Sequence, residues 1–310
     1  MNYPYANGII SAIEGRLLNR GHYAKLAKMK KDEFLKQLRD FGYGEGGDSL
    51  EDIIASELAV LRQFFDEISP DRRLTDLFFI EIDAVNIKAA FKRKLFSAAT
   101  ELYMPGGNIS AEALELAVFA DDYSLLDKNS AGLVREIAAA AGETADPRRF
   151  SALADKIVYR DVFRRMPLLA DSALKAYFQT VVDTKNIVML LRSKALGWDL
   201  SRFGEMFLSG GLIPYRVFEE ARASDNETLA VCFKDYYAEK IGLGLKKYFQ
   251  SGNIDVLERY FEQLIINVMK NYRYDSFGIG PIIYYYLARQ AEASNIRLLY
   301  AGDEADLIEY

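Results

Sequence analysis

The sequence has little of what builds a disulfide framework, a zinc site or a membrane span. It contains one cysteine, Cys232, and one histidine, His22. A single thiol cannot form an internal disulfide, and zinc sites draw most of their ligands from these two residue types. The longest uncharged stretch of note, residues 277–288, falls short of the ~20 apolar residues that span a bilayer. We therefore expect no disulfide, no zinc site and no membrane insertion.

Dense basic clusters are also scarce. The net charge is -6, and the longest run of Lys and Arg is residues 92–94. This balance argues against nucleic acid as a partner, and against unaided binding to an anionic membrane surface. The first residues show no basic segment followed by an apolar core, so we expect no signal peptide and a cytoplasmic location.

Half of the 310 residues are hydrophobic, and they recur at helical spacing. A chain of this length can bury a sizeable core. After Ser49, apolar residues return every three or four positions, at Leu58, Leu61 and Phe65, as on one face of a helix. The 20 Tyr and 19 Phe are better explained by core packing than by a ligand cage. The pattern predicts an all-α fold.

One five-residue pattern, an acid followed by two variable residues, Asn and Ile, occurs three times. The copies begin at Asp83, Asp183 and Glu292, each late in a helical run. Their period exceeds the ~20–50 residues of a solenoid repeat. It therefore predicts three larger helical domains of similar size.

We place these domains at residues 1–104, 105–208 and 209–310. A second repeat agrees with this division, because Gly106-Gly107 returns as Gly210-Gly211, each time before a further helix.

The acid and the asparagine of each motif are three residues apart, so on a helix they share a face. Apolar residues lie four positions before and after each asparagine, which places the amide on a packing face, where an unpaired group costs about 1–3 kcal/mol. We predict that the acid is the nearest partner of the amide, and that the rest of the amide bonds to another segment and fixes how the helix docks. This structural motif comprises Asp83 and Asn86, Asp183 and Asn186, and Glu292 and Asn295. A catalytic role for its acids is less favoured, because acids in three repeats need not converge.

The helices that carry the motif have recognisable ends. Ser69-Pro70 predicts an N-cap and a first helical position, and an unbroken helix over 70–101 would be ~48 Å long. The second helix is predicted to start beyond Pro167 and to stop at Gly197. The third is predicted to run from Gly280-Pro281 to Gly302.

The sequence gives no convincing motif for nucleotide or metal chemistry. Gly42, Gly44 and Gly47 match the letters of a dinucleotide loop, yet a helical segment precedes them where the motif needs a strand. Asp121-Asp122 invites comparison with the metal sites of isoprenoid synthases, but Leu125 stands where a further acid is expected. There is no P-loop and no nucleophile with a credible base. We predict no catalytic residues, no cofactor and no metal ion.

Together, several of these features resemble the C subunit of bacterial and archaeal V/A-type ATPases, whose eukaryotic counterpart is the V-ATPase d subunit. The resemblance covers nearly the whole chain. It is carried by Tyr5-Ala6, Glu14, Leu17-Leu18, the three acid-x-x-Asn-Ile motifs, Pro105-Gly106-Gly107, and the ending 292–298. The tail, residues 303–310, is shorter and more acidic than the family leads us to expect.

The resemblance implies an all-helical funnel of three similar domains in a pseudo-threefold arrangement. It implies a non-catalytic central-stalk (rotor) subunit, peripheral on the cytoplasmic face of the membrane. Such a subunit links the ring of proteolipid subunits to the central axle during ATP-coupled proton or sodium transport. Two other classes stay open: a generic helical scaffold or stator-type connector, and a helical lyase or synthase that uses clustered acids.

Overall fold

The computed structural model describes residues 2–44, 47–97, 103–302 and 307–310. Within these ranges the regular structure is helical and no strand occurs, which confirms the predicted all-α class. No described helix is both long enough and apolar enough to cross a membrane.

The α-helices vary from about two turns to more than six turns. Those of the first half are α1 (Tyr3–Ile13), α2 (Arg20–Leu26), α3 (Lys31–Asp40), α4 (Leu50–Ile68), α5 (Arg72–Phe78), α6 (Ile80–Phe96), α7 (Ala111–Phe119) and α8 (Lys128–Ala141). Those of the second half are α9 (Pro147–Arg165), α10 (Ser172–Ala195), α11 (Leu200–Met206), α12 (Tyr215–Ala223), α13 (Asn226–Cys232), α14 (Lys240–Ser251), α15 (Ile254–Met269) and α16 (Gly280–Ala301).

The residues group into two compact units. The first comprises Met1–Thr75, Asp171–Leu174 and Glu262–Tyr310, and the second comprises Asp76–Ala170 and Lys175–Phe261. The division of the sequence into three repeats of about a hundred residues stays a prediction.

Each unit has its own apolar core. In the first unit, helices α2, α3, α4 and α16 contribute to one cluster, which includes Leu26, Phe34, Leu38, Ile53, Ala293 and Ile296. In the second unit, fully buried aromatic side chains include Phe150, Phe178, Phe218 and Phe233. These rings lie in the interior, as the helical spacing of the aromatic residues predicted.

Short polar side chains begin many of the helices. Asn19 caps α2 in a reciprocal arrangement: its Oδ1 accepts the N–H of His22 at 3.1 Å, while Nδ1 of His22 accepts the N–H of Asn19 at 3.1 Å. The one histidine of the chain therefore satisfies a helix end. Ser49 and Asp52 form the same arrangement at the start of α4, where the sequence predicted a helix.

The prediction of one unbroken helix over residues 70–101 is wrong in three respects. Ser69 lies at the C-terminal end of α4, and Asp71 instead caps α5 by accepting the N–H of Arg73 at 2.9 Å. The helix is interrupted at Phe79, and Phe78 and Phe79 are both buried. The helix α6 then ends at Phe96, and residues 98–102 lie outside the described residues.

Three other predicted ends are confirmed. Gly197, with φ of 64°, follows α10, and the N–H of Trp198 bonds to the carbonyl of Ser193 at 2.9 Å. Gly302, with φ of 86°, ends α16. Gly42, with φ of 77°, ends α3, so the glycine-rich stretch follows a helix as predicted, although Glu45 and Gly46 lie outside the described residues.

Candidate functional site

Each motif asparagine binds one residue of a later segment through both ends of its amide. Its Oδ1 accepts the backbone N–H of that residue, and its Nδ2 donates to the carbonyl of the same residue. We call this pair of bonds an amide clasp. The clasps join Asn86 to Met104 (2.8 and 2.9 Å), Asn186 to Leu208 (2.9 and 2.8 Å), and Asn295 to Ile308 (2.8 and 2.9 Å).

The aspartates of the first two motifs bind the backbone a few residues beyond each clasp. Each accepts the N–H groups of two consecutive residues that directly precede the N-cap of a helix. Asp83 accepts from Asn108 (2.7 Å) and Ile109 (3.0 Å) before α7, and Asp183 accepts from Leu212 (2.8 Å) and Ile213 (3.2 Å) before α12. One motif therefore secures two points of the following loop.

The repeated glycine pair has a steric reason. A Cβ atom added to Gly107 or Gly211 would lie closer than 3.0 Å to Oδ1 of Asp83 or Asp183, respectively. Only glycine lets the backbone come near enough for these carboxylates to accept its N–H groups. The repeat of the glycines and the repeat of the acids are thus two parts of one contact.

The third copy uses a segment from the other end of the chain. Glu292 accepts the N–H of Leu18 at 2.5 Å. Leu18 precedes Asn19, the N-cap of α2, as Ile109 and Ile213 precede the N-caps of α7 and α12. The third acid therefore makes the same kind of contact as the first two, and its acceptor position lies near the start of the sequence.

The sequence did not lead us to predict that all three acids bind the backbone just before a helix. We expected the acid to be the nearest partner of the asparagine, but both ends of the Asn186 amide bond to Leu208, while Asp183 bonds to the backbone of Leu212 and Ile213. The prediction that the amide bonds to another segment agrees with this geometry. The sequence carried part of this signal, because an aliphatic residue stands directly before Ser110, Pro214 and Asn19, which are the N-caps of α7, α12 and α2.

A fourth amide clasp, made by Gln263, holds residues near the C-terminus. Gln263 accepts the N–H of Glu309 at 2.6 Å and donates to its carbonyl at 2.7 Å. The hydroxyl of Tyr310 donates to the carbonyl of Leu18 at 2.6 Å. Residues 307–310 are thereby bonded to α15, α16 and the segment before α2, while residues 303–306 lie outside the described residues.

Asp183 is completely buried and has a further partner. The hydroxyl of Tyr237 donates to its Oδ2 at 2.6 Å. Burial raises the pKa of this carboxyl to about 6, against the lowering effect of the Tyr237 hydroxyl and the two backbone N–H groups. Tyr237 begins three consecutive residues with positive φ, between 50° and 63°, a conformation that costs L-residues energy, so this bond helps to hold a strained turn.

Glu292 is also completely buried, beside an arginine. Arg289 pairs with Glu292 and with Glu57, and its guanidinium lies 4.8 Å from the ring centre of Tyr43. Burial raises the pKa of Glu292 to about 7, while the Arg289 charge opposes the shift. A buried pair of this kind is costly to break, because removing one partner strands the other charge.

The geometry favours a structural role for all three acids. Each is less than 4% exposed and accepts at least one backbone N–H. Within the described ranges, no group of three or more His, Cys, Asp or Glu residues is placed to hold a metal ion. The motif side chains hold the neighbouring loops against the helices that carry the motif.

The fold and the site define an all-helical protein whose long helices secure neighbouring loops through repeated backbone contacts. The chain belongs to the ATP synthase (C/AC39) subunit family, whose model matches residues 6–308. This match confirms the resemblance found in the sequence.

Known relatives align over nearly the whole chain. The C subunit of the A-type ATP synthase of Methanothermobacter thermautotrophicus is 22% identical, with 96% of this chain and 83% of the relative aligned. That of Methanosarcina acetivorans is 24% identical, with 99% and 90% aligned. The C subunit of the V-type ATP synthase of Thermus thermophilus is 24% identical, with 96% and 93% aligned.

Proposed function

We propose that this chain is a non-catalytic central-stalk subunit of a V/A-type rotary ATPase or ATP synthase. It links the membrane rotor ring of proteolipid subunits to the central axle, on the cytoplasmic face of the membrane. The observation that carries the proposal is the family match over residues 6–308. Ring and axle subunits are its proposed partners, and the transported ion is a proton or sodium.

The backbone contacts of the three motif acids suit a part that transmits torque. A connector in a rotor must resist deformation between its two partners. Hydrogen bonds to charged groups are among the stronger noncovalent contacts. Each motif acid binds the backbone just before a helix, so a load on that helix passes through the acid to the motif helix. We further propose that the three repeats, 1–104, 105–208 and 209–310, form a pseudo-threefold funnel, a shape suited to a part on a rotation axis.

A cross-linking experiment tests the rotor assignment against a stator connector or scaffold. Cys232 is first replaced by serine, and a single new cysteine is then introduced that bonds to a ring subunit. ATP-driven ion transport should survive this bond, because two parts of a rotor do not move past each other. A bond from the same subunit to the peripheral stalk should stop transport.

The opposite pair of results would contradict the rotor proposal and favour the stator-type connector. The matched control is the cysteine-free protein carried through the same oxidation, which should transport ions at the unchanged rate in both arms.

A further inference from the structure

The loop between α15 and α16 presents two almost bare aromatic rings. Phe277 is 80% exposed and Tyr274 is 77% exposed. Single exposed apolar residues are ordinary on protein surfaces. Two large aromatic rings that lie three residues apart on one short loop, both left mostly exposed by the fold, indicate a binding surface more strongly than one exposed residue does.

This loop is held firmly in place. Asn7 of α1 donates to the carbonyls of Asp275 (2.8 Å) and Gly278 (3.1 Å). Arg273 binds both carboxylate oxygens of Glu14, at 3.0 to 3.3 Å. The backbone is therefore ordered before any partner arrives, which lowers the entropy lost on binding.

The loop packs closely around Gly278. A Cβ atom on Gly278 would meet carboxylate oxygens of Asp275 and Asp171. The N–H of Phe277 bonds to Oδ1 of Asp275 at 2.9 Å. The exposure of Phe277 thus follows from a fixed backbone rather than from a loop without contacts.

A second exposed apolar residue lies at the corresponding position of the second repeat. Leu168 is 82% exposed and lies 15 residues before Asp183, as Phe277 lies 15 residues before Glu292. An arginine stands four residues before each of them, Arg164 in the last turn of α9 and Arg273 in the loop before α16. The first repeat departs from this pattern, because Ile68 at the corresponding position is buried.

We propose that Phe277 and Tyr274, together with Leu168, are apolar anchors that dock this chain onto the subunits of the membrane ring. This inference rests on the proposed function and names the residues that make its ring contact. Aromatic side chains that become buried at an interface are among the residues that dominate its binding energy, and a pre-ordered backbone lowers the entropy lost on binding.

Two observations favour the ring over other occupants. An anchor that recurs at the same repeat position fits a partner that offers one binding site several times, as a ring of identical subunits does and a single axle does not. A chain of net charge -6 is repelled by anionic lipid headgroups, so the exposed rings are matched to apolar sites on protein rather than to a membrane surface.

The test measures binding of the full-length chain to purified, immobilised ring in detergent. The variants are Phe277→Ser with Tyr274→Ser, and separately Leu168→Ser. The matched control is Val60→Ser, since Val60 is 61% exposed on α4 and lies outside both loops. We expect each loop variant to bind the ring about tenfold or more weakly. The control should bind like the unchanged chain, and all variants should keep the same thermal unfolding midpoint.

Further measurements separate this inference from the proposed function. Binding to axle subunits should be unaffected in every variant, and restoring a bulky side chain with Phe277→Leu should recover most of the ring affinity. The inference is overturned if the loop variants bind the ring normally, or if they lose affinity for the axle or for phosphatidylglycerol vesicles instead. Failure of the unchanged chain to bind the ring would overturn the proposed function itself.

Discussion

At the scale of single residues, the motif asparagines are the clearest targets. Replacing Asn186 by leucine leaves both the N–H and the carbonyl of Leu208 without their partner. We expect this substitution to lower the free energy of unfolding by about 1–3 kcal/mol. Denaturant unfolding measures it, and Asn271→Leu, at an exposed position, should change stability by less than about 0.5 kcal/mol.

Asp183 and Asn186 bind the same loop, so their losses should not add. Asp183→Ala alone releases Leu212 and Ile213, and once the loop is free at one end, removing the second contact costs less. A double-mutant cycle should therefore show a combined effect smaller than the sum of the two single effects. Strict additivity would mean that the two contacts act independently.

The buried carboxyl of Asp183 should also make stability depend on pH. Its pKa is raised from 3.8 to about 6 in the folded protein, so the folded state binds the proton more tightly than the unfolded state. The stability from this proton is complete below about pH 4 and is lost as the pH rises to about 6. Relative to Asp183→Asn, the unfolding free energy should fall across this window by about 2–3 kcal/mol. A difference between the two proteins that stays constant from pH 4 to pH 6 would contradict the shift.

At the scale of elements, the second glycine of each pair is the critical residue of its loop. Gly211→Ala places a methyl group against Asp183, so the loop must leave the carboxylate. We expect a loss of at least about 2 kcal/mol in the free energy of unfolding. Gly132→Ala is the matched control, because Gly132 lies within α8 with nothing near its Cβ position. There alanine should stabilise by about 0.5–1 kcal/mol. Equal effects at the two sites would refute the steric argument.

Features that depend on residues close together in the sequence could be predicted from it, whereas features that depend on distant residues could not. The helices, the caps at Ser49, Gly197 and Gly302, and the packing face of each asparagine follow from local spacing and side-chain chemistry. The break between α5 and α6 at Phe79 does not, because no proline or glycine marks it in the sequence. Nor do the contacts that α16 makes through Glu292, because its partner Leu18 is separated from it by most of the chain.

At the scale of the whole molecule, the glycine-rich stretch bears on nucleotide binding. The N–H of Gly44 already bonds to a carboxylate oxygen of Glu57 at 3.0 Å, whereas a phosphate loop needs free N–H groups. Calorimetric titration of the isolated chain with Mg-ATP should therefore release no heat beyond dilution. Saturable binding in the micromolar range would contradict this expectation.

The last four residues provide the other test at this scale, since they connect the two ends of the sequence. Ile308 is buried and bound by Asn295, Glu309 is bound by Gln263, and Tyr310 bonds to Leu18. Removing residues 307–310 should lower the free energy of unfolding by about 2–4 kcal/mol, from lost apolar burial and unpaired amides.

Hydrogen exchange shows whether that loss reaches the beginning of the chain. Because Tyr310 bonds to the carbonyl of Leu18 while Glu292 accepts its N–H, the truncated chain should exchange the Leu18 amide proton faster. Arg20→Ala is the matched control: it removes only the exposed ion pair with Glu309, and such pairs contribute little, so the exchange rate at Leu18 should not change. If Leu18 keeps its protection after truncation, the tail is a separate appendage, and Glu292 alone maintains the third contact.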